Sequence, residues 1–351
     1  MSVTLPSSVL FRCDAWPAMG YGHVVRCLAL ADELREAHEC EVAFAMIRGT
    51  PGASMAVAKG YRVVALDREA LARNYAGWLE AAVDEVGADA LVLDVRNDLP
   101  VAALRSLKEK GILIATIDDP SDRRLMADLA FYPPVPQVGR MDWRGFSGEL
   151  SVGWEWVVLR REFSRRAVRE KHDVPVVLVT MGGSDPCGMT LKAVEALDLL
   201  GPDLDLRSLV LLGPGFLHHE ALEELVAGAH RKFELLSGVD DIAGLMARSD
   251  LALGSFGVTS YELAAMGVPG IYLCLTEDHA ESASTFVEAG MGECLGVHDR
   301  VTSRQLCRAI RGLLLDRPGL RRMAESCTRN MDGKGARRVA DKIVGRIVHG
   351  D

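Results

Sequence analysis

The 351-residue sequence lacks an excess of positive charge and lacks any apolar run long enough to cross a bilayer. Its 49 acidic residues against 40 basic ones give a net charge of -9, so no overall basic field is present to hold a nucleic-acid backbone. No apolar run approaches the ~18 residues of a membrane span, and residues 1–11 lack the features of a secretory signal peptide. We therefore expect a cytoplasmic protein with no nucleic-acid partner and no membrane-spanning segment, which captures any anionic ligand through local groups.

Redox and metal-binding spacings are missing as well. The eight cysteines are scattered, and no pair has C-x-x-C spacing. No H-x-x-H or H-E-x-x-H spacing is present. The cysteines are predicted to be buried thiols in a reducing compartment, and neither a metal site nor a cofactor is predicted.

The chain is long enough for two α/β domains, and its 49% hydrophobic content excludes disorder. Short β-branched runs alternate with segments of helical period in both halves, which is typical of β-α-β units and of parallel sheets covered on both faces. The predicted strands are residues 9–13, 42–46, 62–66, 90–94 and 112–118, then 176–181, 209–212, 233–236, 251–254, 270–275 and 293–297.

This pattern predicts two Rossmann-like parallel-sheet domains, residues 1–163 and 164–351, joined by a basic segment near residues 164–173. Open parallel sheets bind their ligands beyond the carboxyl ends of the strands. We therefore expect the strand-to-helix loops of both domains to face a common cleft.

The loop after the first predicted strand carries the candidate general base. It reads Gly20-Tyr21-Gly22-His23 and leads into a helix that contains Arg26. Glycines permit a close backbone approach, and a helix N-terminus offers unpaired N–H groups to an anion. The helix dipole favours the neutral form of His23, which can accept a proton. The alternative is that His23 only caps the helix or lies on the surface. The G-x-G spacing adds little support, because it lacks the third glycine and the distal acid of a dinucleotide-binding fingerprint.

The second domain opens with a strand and the turn Gly182-Gly183-Ser184-Asp185. Paired glycines after a strand can expose successive amides as an anion nest, and Ser184 can add a hydroxyl donor. The alternative is a tight turn capped by Asp185.

A further candidate is the helix entry at Gly257, Val258 and Thr259, where backbone amides can bind a pyrophosphate. Glu262, one turn later, is placed to accept hydrogen bonds from a ribose diol. The alternative is a capping box in which Thr259 and Glu262 bind the first amides of their own helix.

Polar residues also follow other predicted strands. Asp278 and His279 can supply an acid or a donor to the same crevice, with a solvated loop as the alternative. Asp118 and Asp119 suggest an acid/base pair or a metal site, although the residues that follow are also typical of a turn.

Five segments resemble, in order, motifs of the nucleotide-sugar hydrolase family of pseudaminic acid biosynthesis and of its spore-coat polysaccharide relatives. They are residues 20–31 (GxGHvxRCxxLA), 153–163 (the domain-joining segment), 181–186 (FGGxDP), 254–262 (GxxGxTxxE) and 332–336 (DGKGA).

The resemblance implies the two-domain glycosyltransferase-B architecture, with the last helix returning to the N-terminal domain. It implies that UDP binds the C-terminal domain and that the sugar faces the N-terminal glycine loop. The family cleaves a UDP-linked diacetamido-trideoxy sugar at its anomeric carbon without a metal. Carried over to this sequence, His23 is the general base, Glu262 binds the ribose, and residues 257–259 bind the pyrophosphate.

The sequence departs from the family at two sugar-facing positions. Asp94-Val95-Arg96 stands where the family has Asp-His-Tyr, and Asp278-His279 stands where it has Asn-Gln. The predicted substrate is therefore a UDP-sugar, with the nucleotide better specified than the sugar.

The predicted activity is UDP-sugar hydrolysis. A glycosyltransferase on the same scaffold is the first alternative, since the two reactions differ in which hydroxyl the base deprotonates and in whether water is excluded. A non-catalytic nucleotide-sugar binding protein is the second. Nothing in the sequence indicates an oligomeric state.

Overall fold

The structure is a computed structural model that describes residues 6–16, 20–97, 99–165 and 173–350. The chain divides into two compact units: residues up to Arg161 together with those from Lys334 onward, and Glu162–Gly333. Residues 166–172 of the predicted joining segment lie outside the described residues.

The first unit contains, within the described residues, one seven-stranded parallel sheet. Its strands are β1 Ser8–Cys13, β2 Glu41–Ile47, β3 Arg62–Leu66, β4 Ala90–Asp94, β5 Leu113–Ile117, β6 Leu129–Tyr132 and β7 Glu149–Val152. The helices that connect them are α1 Gly22–His38, α2 Pro51–Ala58, α3 Arg68–Arg73, α4 Tyr75–Val86 and α5 Val101–Glu109. The strand order is β3-β2-β1-β4-β5-β6-β7.

The central strands β1 and β4 are buried along their whole length because helices cover both faces of the sheet. Phe11 and Phe44 lie in the core beneath α1, whereas Leu10 and Leu91 lie in the core beneath α4 and α5. The five strands predicted in this half are confirmed. The short strands β6 and β7 were missed, since β6 has only four residues and no β-branched residue, and β7 is largely exposed.

The second unit contains a six-stranded parallel sheet in the part of the chain that the structure describes. Its strands are β8 Val176–Thr180, β9 Arg207–Leu212, β10 Phe233–Ser237, β11 Leu251–Ser255, β12 Gly270–Cys274 and β13 Gly292–Val297. Its helices are α6 Met189–Asp198, α7 His219–Gly228, α8 Ile242–Ala247, α9 Val258–Ala265, α10 Glu277–Glu288, α11 Ser303–Leu315 and α12 Arg317–Asn330. The strand order is β10-β9-β8-β11-β12-β13, and every strand predicted in this half is confirmed.

The last helix, α13 Gly335–His349, belongs to the first unit, where it packs against α1. Val339, Ala340 and Ile343 are fully buried in the core that lies beneath α1. Gly335 begins the helix directly against the carbonyl oxygen of Val157, where a side chain would collide with the backbone. None of the helices in the described part of the chain combines the length and the apolar character that a membrane crossing requires.

Each sheet has one point at which the strand order reverses direction. In the first unit this switch point lies between β1 and β4, and in the second it lies between β8 and β11. Loops on either side of a switch point diverge to opposite faces of the sheet and leave a crevice at the carboxyl ends of the strands. The sequence places candidate residues after all four of these strands.

Candidate active site

His23 lies in the first turn of α1, directly beyond β1. Gly20 has a φ of 85°, Tyr21 is the N-cap of α1, and Gly22 is its first residue. Residues 17–19 of the same loop lie outside the described residues. The Nδ1 atom of His23 lies 2.7 Å from Oδ1 of Asp94, the last residue of β4. The switch point of the first sheet therefore joins two residues that the sequence analysis had assigned to separate loops.

Asp94 is almost completely buried and is held in its ionised form. Burial by itself would raise the pKa of Asp94, but the positive charge of Arg26 and the hydrogen bonds from Arg26 and His23 hold this pKa well below its ordinary value. An ionised carboxylate can only accept hydrogen bonds, so in a neutral His23 the proton is on Nδ1 and this N–H donates a hydrogen bond to Asp94. The lone pair is then on Nε2, and the side chain remains 19% exposed. This is the arrangement of a general base oriented by a carboxylate.

Arg26 lies one turn further along α1, on the same helix face as His23. Its Nε and Nη2 atoms both bind Asp94, with Nη2 at 2.6 Å from Oδ1. Burial lowers the pKa of Arg26, yet the charge of Asp94 outweighs that effect and raises the pKa overall. Arg26 therefore stays charged and fixes the carboxylate that orients His23.

Arg96 and Asp118 extend this cluster. The Nη2 atom of Arg96 lies 3.0 Å from Oδ2 of Asp118, and Nη1 of Arg26 lies 3.5 Å from the same oxygen. Asp118 has a φ of 52°, a left-handed conformation that is uncommon for a residue with a side chain and is concentrated at functional sites.

The two adjacent acids that the sequence offered as a pair have separate roles. Asp118 faces the arginines, whereas Asp119 is buried and accepts hydrogen bonds from Ser121 and Arg123. Asp119 thereby holds the turn that the sequence also predicted. Among the described residues, no three histidine, cysteine or acidic side chains are grouped so that they could hold a metal ion.

In the second unit, the turn after β8 meets the turn after β11. The hydroxyl of Ser255 donates to the carbonyl oxygen of Met181 at 3.1 Å. A Cβ atom on Gly182 would lie 3.8 Å from Oγ of Ser255 and 3.9 Å from Oγ1 of Thr259. Gly182 has a φ of 79°, which favours glycine. The two glycine motifs thus form one surface at the switch point.

A third glycine turn, which the sequence analysis missed, joins this surface. The backbone N–H of Gly215 donates to the carbonyl oxygen of Gly183 at 2.8 Å. Gly213 lies against the carbonyl oxygens of Gly182 and Gly183 and has no room for a side chain. The sequence Gly213-Pro214-Gly215, directly after the predicted strand 209–212, is the signal that could have identified this third turn.

The two capping alternatives have different outcomes. The carboxylate of Asp185 does accept the N–H groups of Met189 and Thr190, both at 2.8 Å, so the cap exists beside Gly182, Gly183 and Ser184. The capping box of Thr259 and Glu262 is wrong, because the N-cap of α9 is Gly257, which has no side chain to donate or accept a hydrogen bond.

The N-cap residue of α9 thus offers no side chain to the backbone N–H groups of Val258 and Thr259, whereas the N–H of Ser260 donates to the carbonyl oxygen of Gly257. Glu262 lies in the second turn and is only 6% exposed.

Asp278 and His279 lie in the first turn of α10, immediately after β12 and therefore at the same edge of the sheet as α9. The side chain of Thr276 caps this helix by accepting the N–H of His279 at 3.2 Å. Asp278 is exposed, whereas His279 is half-buried. The Nδ1 atom of His279 is buried and has no hydrogen-bond partner among the described residues.

Two parallel-sheet units with glycine-lined turns at both switch points define an α/β protein of the glycosyltransferase-B architecture. The crystal structure of MurG from Acinetobacter baumannii matches with a TM-score of 0.70 at 17% identity, over 97% of this chain and 99% of that one. The S. aureus MnaA–UDP co-structure matches with a TM-score of 0.68 at 14% identity, over 97% of each chain. At these identities the matches establish the fold alone.

Sequence comparison narrows the class to a family, although the sequence matches no model of a known protein family. It is 31% identical over 269 residues to the UDP-N-acetylglucosamine--N-acetylmuramyl-(pentapeptide) pyrophosphoryl-undecaprenol N-acetylglucosamine transferase of Methylibium petroleiphilum, covering 72% of this chain and 70% of that protein. The chain belongs to the glycosyltransferase family of that protein.

Two other relatives match over shorter parts of their length. The chain is 28% identical over 191 residues to the spore coat polysaccharide biosynthesis protein SpsG of Bacillus subtilis, covering 53% of this chain and 56% of that protein. It is 26% identical over 291 residues to an uncharacterized protein of Methanocaldococcus jannaschii, covering 78% of this chain and 57% of that protein. The chain thus spans little more than half the length of these two relatives.

Proposed function

We propose that this chain is a glycosyltransferase that moves a sugar from a UDP-sugar to the hydroxyl group of an acceptor, with His23 as general base. The hydrogen bond between His23 and Asp94 is the observation that carries this proposal. It orients a base whose Nε2 atom has no hydrogen-bond partner among the described residues, at the switch point of a glycosyltransferase-family protein. The relative from Methylibium, rather than this geometry, is the reason to prefer the transferase, which was the first alternative from sequence, to the hydrolase.

We assign UDP to the second unit. Backbone amides near Gly182, Gly183 and Ser184 and in the first turn of α9 (Gly257, Val258 and Thr259) offer positive potential to a diphosphate. The name of the Methylibium relative, which specifies a UDP-linked sugar as donor, supports this nucleotide. Glu262 is assigned to the ribose. It is a buried carboxylate in the second turn of α9, one turn after the amides of Val258 and Thr259.

The acid–base step is assigned to the first unit. As the acceptor oxygen bonds to the anomeric carbon, His23 Nε2 takes its proton and the bond to UDP breaks with its electron pair on the diphosphate. Asp94 stabilises the positive charge that this places on the ring, and Arg26 keeps Asp94 in position.

The sugar is assigned to the side chains that differ from the hydrolase pattern. Arg96, held by Asp118, is a guanidinium at the base site and can donate to sugar hydroxyl or acetamido oxygens. Gly20, Tyr21 and Gly22, which directly precede His23, are assigned to the sugar as well, through their backbone. In the second unit Asp278 and His279 are the corresponding candidates, since the buried Nδ1 of His279 lacks a partner among the described residues.

Hydrolysis is the second candidate, favoured by the motif at residues 20–31 that resembles the pseudaminic acid pathway enzyme and by the spore-coat relative. In that reaction His23 deprotonates water, and the substrate is a UDP-linked amino-deoxy sugar. The residues hold the same roles in both reactions, and only the nucleophile differs.

The test is incubation of the full chain with a panel of UDP-sugars, with and without hydroxyl acceptors, while UDP release is measured. Release that depends on an acceptor supports transfer, whereas equal release in its absence supports hydrolysis. Tight UDP-sugar binding with no UDP release for any donor and acceptor would contradict both reactions and indicate a binding protein.

A parallel set of reactions in excess EDTA should give the same rates, because amides rather than a metal neutralise the diphosphate. Loss of activity there would bring Asp118 back as a candidate metal ligand.

A further inference from the structure

Two cysteines lie side by side at the end of the second sheet. The Sγ atoms of Cys274 and Cys294 are 3.6 Å apart. Cys274 is the last residue of β12, and Cys294 lies on β13, which is the edge strand of this sheet. Neither residue belongs to the candidate active site, and no reaction assigned above uses a thiol.

The local backbone explains why these side chains meet. Tyr272 pairs with Cys294, but Cys274 pairs with Val297, so the register shifts between the two positions. On a sheet, side chains two residues apart point to the same face, which places Cys274 diagonally next to Cys294. The ring of Tyr272 lies over Gly270 and Gly292, toward the start of the two strands. The two sulfurs therefore lie on the same face of the sheet, toward the carboxyl ends of the strands.

The two thiols are chemically unequal. The hydrogen bond from Cys274 and the backbone N–H of Gly296 lower the pKa of Cys294 to about 6, although burial acts in the opposite direction. Donation of that hydrogen bond raises the pKa of Cys274, and burial raises it further. Cys294 is half-buried, whereas Cys274 is buried. Cys294 is thus the more exposed residue of the pair and the one with the larger thiolate fraction at neutral pH.

We propose that Cys274 and Cys294 form a redox-sensitive dithiol, which a hydroperoxide converts to a disulfide within the chain. The Cys294 thiolate attacks one peroxide oxygen, breaks the O–O bond and becomes a sulfenic acid, while the other oxygen leaves as hydroxide. The Cys274 thiol then displaces the sulfenic hydroxyl, forms the S–S bond and releases water. The two sulfurs lose two electrons, and hydrogen peroxide is reduced to two molecules of water.

The distance allows this second step with a small movement. An S–S bond is about 2.05 Å long, so the sulfurs must approach by roughly 1.5 Å. The irregular register and the position of β13 at the sheet edge permit that shift, because an edge strand has a hydrogen-bonded neighbour on one side only.

A second pair of neighbouring cysteines, in the first unit, provides a control for this reactivity. Cys13 and Cys27 also interact through their thiols, but both are fully buried in the core of the first unit. Peroxide must reach a thiolate, so this contact provides an internal control that should remain reduced. Cys187 is exposed, and its side reactions are removed by a Cys187→Ser background.

The experiment treats the full chain in that background with hydrogen peroxide, alkylates the remaining thiols and maps unreduced peptides by mass spectrometry. We expect a cross-linked peptide that contains Cys274 and Cys294, has lost two hydrogens and disappears on treatment with a thiol reductant. Cys13 and Cys27 should be recovered alkylated.

Variants separate the two thiols. Cys294→Ser should leave Cys274 alkylated, and Cys274→Ser should leave Cys294 as a sulfenic acid that dimedone traps. Cys307→Ser, which removes another partly buried thiol of the second unit, should cross-link as the parent does. Recovery of both thiols in the treated parent, or further oxidation of Cys294 beside a free Cys274, would overturn the proposal. These readouts are independent of UDP binding and of turnover.

Discussion

The imidazole Nδ1 of His23 lies 2.7 Å from the buried carboxylate of Asp94, and this contact joins two residues that are 71 positions apart in the chain. It exists because β1 and β4 are neighbours, with Cys13 opposite Asp94 in the register. The start of α1 is thereby held against the end of β4. A histidine of ambiguous role in the sequence becomes an oriented base in the structure.

The first prediction concerns this base. His23→Asn keeps a side-chain donor near Asp94 but removes the Nε2 lone pair, so turnover should fall by about 10²–10⁴-fold. UDP affinity should stay near that of the wild type, since UDP is assigned to the second unit. Steady-state rates of UDP release and calorimetric UDP titration measure the two quantities.

The matched control is His38→Asn, the same substitution at the other end of α1, where His38 pairs with Asp341. It should leave turnover unchanged. A His23→Asn protein that turns over normally, or that loses UDP affinity in step with its activity, would show that His23 is not the base.

The second prediction concerns the buried ion pair. Asp94→Asn leaves the Arg26 charge without its main partner, and removing one member of a buried pair costs about 3–5 kcal/mol. The free energy of unfolding at pH 7, from urea denaturation, should fall by that amount. The exposed Asp84→Asn control should change it by less than about 0.5 kcal/mol.

The same variant gives a pH test. The pKa of Asp94 is lower in the folded protein than in the unfolded chain, where it is about 3.9. Its contribution is therefore present above about pH 4 and is lost as the pH falls further. As the pH falls below about 4, wild-type stability should therefore drop more steeply than that of Asp94→Asn, which has no carboxylate to protonate at this position. Parallel curves for the two proteins would contradict the assignment.

The third prediction concerns ribose recognition. Glu262→Gln removes the carboxylate charge and keeps the side-chain volume, so UDP affinity should weaken by about 1.5–3 kcal/mol, the usual value of hydrogen bonds to a charged group. Calorimetric UDP titration and the melting temperature are measured together. Glu223→Gln on the exposed face of α7 is the control. Normal UDP affinity with a lower melting temperature would show that Glu262 has a structural role only.

The fourth prediction concerns the entry to α9. Gly257 has an extended backbone, and an added Cβ would meet no atom within 4 Å from the described residues other than its two chain neighbours. Gly257→Ala should therefore fold with an unchanged melting temperature, while the new methyl group occupies space assigned to the diphosphate and lowers UDP affinity at least tenfold, or about 1.4 kcal/mol. Gly228→Ala, which also meets open space in the second unit, should bind UDP normally. Unchanged UDP affinity in Gly257→Ala would place the diphosphate elsewhere.

Features that depend on a few consecutive residues could be predicted from the sequence. Buried strands such as β4 and β12 are continuous apolar runs because helices cover both faces of the sheet, and this composition is visible without a structure. The glycine turns after β8 and β11 were also visible in the sequence. A left-handed backbone conformation or a close approach of two backbones requires glycine at that position itself. The strand β7 was not visible, because its exposed residues follow no apolar pattern.

The sequence by itself therefore determined the two parallel-sheet units and the loops that carry the candidate residues. Only the tertiary structure decided which of those residues meet. The orientation of His23 by Asp94, the attachment of Arg96 to Asp118, and the contact of Gly215 with Gly183 all join segments that are distant in the chain. The physical reason is that strand order sets these neighbours, and strand order follows from packing the whole sheet rather than from the local pattern of any strand.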